Sequence, residues 1–118
     1  MEDVVTELAE QLVEHPNWSW REGMRDQAGV RIVDLELWNA DGALPDLEDW
    51  ATAGAMLGVL AETGLLTDMV LQEGEWIVAV EMPDGLQGWA ADTFGAAVGY
   101  ALLAAWGVIT APGAGPSA

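Results

Sequence analysis

The sequence predicts an α+β sandwich, α-β-β-α-β-β-β-α, in which helices cover an antiparallel sheet. Three observations carry this expectation. Apolar residues recur at helical spacing over 3–14 and again over 41–64, and an uncharged run covers 93–111. Between these stretches lie short runs rich in β-branched and aromatic residues, separated by turn signals such as NADG, EG and PDG. At 118 residues and 52% hydrophobic, the chain has the size and apolar mass for one core. We place a single α+β domain at 1–111 and a flexible Pro- and Gly-rich tail at 112–118.

The first helix is predicted over 3–14. Val4, Val5, Leu8 and Leu12 form its apolar stripe, and Asp3, Glu7, Glu10 and Glu14 share the opposite face. Four carboxylates thus line roughly 16 Å of helix, at about 1.5 Å rise per residue. Like charges at this spacing cost about 0.2–0.5 kcal/mol per pair, and the chain has no Lys to relieve them. The stripe reads as a solvated face or as a face for a basic partner.

Pro16 ends that helix, because it disfavours helical geometry at His15. Trp18, Ser19, Trp20 and Arg21 alternate with period two, so a first strand would set both indoles on one side. They read as half-buried core aromatics, with an exposed platform as the alternative. A second strand is predicted over 30–38, with Val33, Leu35 and Leu37 facing one way and Ile32, Asp34, Glu36 and Trp38 the other.

The stretch 41–64 is expected to be the central helix. Pro45 suits its first turn, and Asp46, Glu48 and Asp49 sit where the positive end of the helix dipole favours carboxylates. Leu47, Trp50, Ala53, Leu57, Leu60 and Ala61 project to one face, and Gly64 can stop the helix.

A hairpin around Glu73-Gly74 follows, with Trp76, Val78, Val80 and Met82 on one face, then a third short strand near 86–90. Asp92 or Thr93 caps the last helix. The 19 uncharged residues of 93–111 are long enough to suggest a membrane span. Their Gly and Ala content, and the lack of Lys or Arg beyond Arg31, favour a buried helix. Gly54-x-x-x-Gly58 and Gly95-x-x-x-Gly99 recur near the starts of both later helices, a spacing that admits close backbone packing.

No catalytic constellation is legible, so we expect no enzyme, cofactor or metal. Cysteine is absent, which excludes disulfides and thiolate sites. His15, the one histidine, sits at a helix end with no marked catalytic partner. Asp41, Asp46, Glu48 and Asp49 lack the spacing of a calcium loop and read better as helix-start acids. No phosphate-cradling loop with Lys appears, and no basic patch for nucleic acid.

The charge is the informative feature. With 20 acids against three Arg, the formal charge is -17, so the chain repels nucleic acid and anionic lipid and attracts basic partners. The same bias also fits a proteome-wide habit of a salt-adapted or high-GC organism, in which acidity serves hydration. The acidic start MEDVVTELAE lacks a secretory signal's basic region, so a cytoplasmic location is expected.

In HPNWSWREGM, VRIVD and LPDLEDWATAGAMLGVL, the chain resembles small acidic proteins encoded by phages and prophages of high-GC bacteria, anti-CRISPR-like in character. The resemblance carries no catalytic residues across. It implies a mobile-element accessory protein without naming its activity. The acidic charge adds the expectation of an interaction protein that inhibits a nucleic-acid-binding defence protein, a CRISPR effector or restriction enzyme, by occupying its basic surface. The residues expected to bind are Asp3, Glu7, Glu10 and Glu14, then Asp34 and Glu36, then Asp46, Glu48 and Asp49. Two alternatives stand beside it. One is an immunity protein for a basic toxin nuclease, anchored by Trp18 or Trp20. The other is a small phage structural or assembly protein that self-associates, as a homodimer or larger, through its C-terminal helix.

Overall fold

A computed structural model describes residues 4–38, 42–83 and 85–108. Asp3, Asp41, Asp84 and the expected tail lie outside them. The elements run α1 (Val4–Glu14), α2 (Trp50–Glu62), β1 (Leu66–Gln72), β2 (Glu75–Met82), β3 (Gly85–Ala91) and α3 (Phe94–Ala105). The class is α+β, as expected, but the order is α-α-β-β-β-α.

The two strands predicted between α1 and α2 do not form. At 30–38 the reason is Asp34. Its side chain accepts the Glu36 N–H and its carbonyl accepts those of Leu37 and Trp38, so a local turn takes donors that a ladder would need. The predicted facing fails with it: Val33 and Leu37 are 81% and 84% exposed, while Ile32 is buried. Ile32 and Met24 instead close a tight loop, with Ile32 N donating to Met24 O and Gly23 N to Ile32 O, and both side chains enter the core. Residues 18–21 run without regular structure into a turn over 21–24, closed by Met24 N donating to Arg21 O. Trp18 and Trp20 still meet, edge to face at 5.3 Å, and Trp38 packs on Trp20 at 4.6 Å.

The central helix is α3, not α2. Its small residues let neighbours approach from several sides, and 94–99 and 101–104 are all buried. It packs on α1, α2, β2 and β3. A Cβ at Gly99 would lie 3.1 Å from Leu12 Cδ1 and 3.2 Å from Leu8 Cδ2, and one at Gly95 would run into the carbonyl oxygen of Leu47. Gly54 and Gly58 of α2 face open space. The two matching motifs therefore do different things, and only the second is a packing device.

In α2 the buried residues are Thr52, Ala53, Met56 and Leu60, while Trp50 is 65% exposed. The helix starts later than expected because Asp49 is its cap, accepting the Thr52 N–H. Pro45 and Leu47 are buried ahead of it, in the approach to the helix.

The sheet has strand order β1-β2-β3, all antiparallel. Glu73 and Gly74 join β1 to β2 with both φ angles positive, 54° and 84°, the two-residue geometry that matches strand twist. Val78 and Val80 point to the core with Trp89 of β3, which sits opposite Val78. The expected inward row of β2 is thus correct at its centre and half-buried at Trp76 and Met82. Helix α3 lies on β2 and β3, and edge strand β1 projects beyond it with Met69 and Leu71 exposed. Among the described residues, no helix is long and apolar enough to cross a membrane.

Candidate interaction surface

All the Arg side chains come from one stretch, 21–31, and each is spent on an acid that flanks or ends α2. Arg21 forks onto Glu62 at 2.9 and 3.0 Å, Arg25 lies 3.6 Å from Asp46, and Arg31 forks onto Asp49 at 2.6 and 2.9 Å. These pairs pin the loop along α2, helped by Arg25 N donating to Thr52 Oγ1 at 2.7 Å. Hydrogen bonding to Arg31, and secondarily to Thr52, outweighs desolvation and holds the Asp49 carboxyl at about 2. Glu62 is lowered in the same sense by Arg21.

The expected acids therefore divide. Asp46 and Asp49 are committed to internal ion pairs and so unavailable as simple phosphate substitutes. Glu7, Glu10 and Glu14 form an exposed row on α1, and Asp34, Glu36 and Glu48 are exposed. Among the described residues, none of these six meets a basic side chain. The row on α1 is sparse by itself. Over its seven-residue span of about 10 Å, charge recurs every ~5 Å along the axis, against about 3.4 Å per DNA strand. Matching that spacing would take acids from other elements as well.

Trp18 and Trp20 are half-buried and packed on each other, and Trp18 Nε1 is enclosed without a hydrogen-bond partner. They belong to the core margin. The exposed indole is Trp50, which sequence periodicity had turned inward. It stands at the first position of α2, just after its cap, and leans on Trp76 and Phe94 with centroids 5.7 and 5.8 Å away. Trp76 and Phe94 are 4.9 Å apart. The three rings wall a small cavity of about 150 Å³ between the starts of α2 and α3, with Glu48, Asp49 and Asp92 also on its lining. The sequence signal was a Trp directly after an N-cap acid, where a side chain can extend past the helix end.

These features define a small acidic α+β protein with its cations internally neutralised. Compared with known proteins, the chain matches no family model, no curated protein and no solved structure.

Proposed function

We propose that the chain is an acidic interaction protein that inhibits a nucleic-acid-binding defence protein, of CRISPR-effector or restriction type, in the bacterial cytoplasm. The observation that supports it is the distribution of charge. Every Arg is paired with an acid flanking or ending α2, and the carboxylates of α1, the 34–36 turn and Glu48 face outward without a cation. Such a surface offers carboxylates where a Lys/Arg channel receives phosphates, so binding is fast and weakens with salt.

The test is affinity capture from nuclease-treated host lysate at low and moderate salt, with mass spectrometry of the retained proteins. The expected result is a basic nucleic-acid-binding protein that competing DNA releases, and weaker retention by the variant E7Q/E10Q/E14Q. Retention of nothing basic, or of a partner indifferent to both DNA and that variant, overturns the reading.

Exposed Trp50 favours a second reading, an immunity protein for a basic nuclease anchored through an aromatic side chain. That complex would survive moderate salt and lose affinity chiefly on Trp50→Ala.

A further inference from the structure

From the cavity walled by Trp50, Trp76 and Phe94 we infer a binding site for one arginine side chain of a partner. The inference deepens the reading of an acidic protein with a basic partner, and rests on it for the partner's existence.

Size comes first. At about 150 Å³ the cavity is well below the roughly 300–1,000 Å³ of small-molecule and cofactor pockets, and suits a single side-chain head. Its walls are chemically specific. Trp76 meets Trp50 edge-on at 76°, whereas Phe94 is tilted from Trp50 by 32°, so the rings buttress one another and hold Trp50 in place at the surface. The face of a Trp is the best aromatic partner for a cation, and a planar guanidinium stacks on it as well as being attracted to it.

Charge decides the sign of the ligand. Glu48, Asp49 and Asp92 lie on the lining, and only Asp49 is matched by a guanidinium of this chain, that of Arg31. The starts of α2 and α3 would by themselves favour an anion, each acting as roughly half a positive charge, and the caps Asp49 and Thr93 each take one N–H there, from Thr52 N and Ala96 N. Two unmatched carboxylates therefore prevail over two capped helix ends. An arginine entering beside Trp50 would stack on the indole and meet Glu48 or Asp92.

The experiment follows the indole N–H signals of the whole protein by two-dimensional NMR during titration with Nα-acetyl-arginine amide. Nα-acetyl-citrulline amide, nearly the same shape without the charge, is the control. The expected result is saturable movement of the Trp50 and Trp76 signals with the arginine probe, with the other indoles still. Citrulline should bind about tenfold more weakly, as should the arginine probe to E48Q/D92N. Trp50 is largely exposed, so Trp50→Ala should fold and lose the Trp76 response. Equal responses to both probes, or none at Trp50 and Trp76, overturn the site. Capture of a basic partner from lysate by Trp50→Ala as strongly as by the parent would also remove the pocket, while leaving the acidic-surface reading intact. Loss of all basic capture by the parent would remove that reading instead.

Discussion

Asp49 receives both terminal nitrogens of Arg31, at 2.6 and 2.9 Å, and with the same carboxylate caps α2 by accepting the N–H and hydroxyl of Thr52, each at 2.9 Å. One side chain thus starts the helix and ties the 21–31 loop to it. Replacing Asp49 by Ala removes the cap, which alone costs about 1–2 kcal/mol, and leaves the hydroxyl of buried Thr52 with only the Arg25 carbonyl, 3.4 Å away, as acceptor. Urea unfolding should show a lower midpoint with an unchanged slope. Arg31→Ala should cost less, since the cap remains and Arg31 is substantially exposed.

The same carboxylate sets part of the acid response. Its pKa is held near 2, below an ordinary 3.8, first by the hydrogen bonds from Arg31. The unfolded chain therefore takes up this proton before the folded one does, and the Asp49 contribution is complete above about pH 4 and lost as pH falls through about 2. Glu62, lowered by its hydrogen bonds from Arg21, acts in the same direction. Comparison with Asp49→Asn isolates the one group. The stability difference between parent and variant should be level from neutral pH to about 4.5 and shrink toward pH 2. A constant difference down to pH 2 would sever the link.

The glycine pairs give a test of packing. Gly95→Ala would press a methyl group against the carbonyl of Leu47, backbone that cannot step aside cheaply, so loss of about 3 kcal/mol or failure to fold is expected. Gly99→Ala meets side-chain atoms of Leu8 and Leu12, not backbone, at 3.1–3.4 Å and should cost about 1 kcal/mol. Gly54→Ala and Gly58→Ala, with open space beyond them in α2, should each stabilise by about 0.5–1 kcal/mol through helix propensity. Thermal unfolding of the four variants orders them.

What the sequence disclosed follows the range of the interactions involved. Helices α1 and α3, the Glu73-Gly74 hairpin and the third strand were readable because their periodicity and turn chemistry are local. The stretch 18–38 was not, since alternation in VRIVDLELW is equally satisfied by a strand or by turns that bury Ile32 and leave Val33 and Leu37 in water. The side chain of Asp34 tips that balance, and composition does not report it. The rotation of α2 depends on Thr52, a polar residue drawn inward by Asp49 and Arg25 from outside the helix. For the surface, the exposed acids of α1 were legible, whereas the pairing of Asp46 and Asp49 and the meeting of Trp50 with Phe94 require tertiary contact.

A last prediction concerns the unpaired acids themselves. Glu7 and Glu10 are three residues apart and Glu10 and Glu14 four, both neighbour spacings on a helix, and Arg is committed elsewhere. Their repulsion is exposed and so screened by salt, the Debye length falling from about 10 Å at 0.1 M to about 3 Å at 1 M. The parent should unfold at a higher temperature in 1 M than in 0.1 M sodium chloride. E7Q/E10Q/E14Q should be more stable by about 0.5 kcal/mol at the lower salt and gain less from the increase. A variant that gains as much as the parent would show that the row on α1 carries little of the strain. If stability rises while capture of a basic partner falls, the row is an acidic surface retained against its own repulsion, which is the behaviour expected of a binding face.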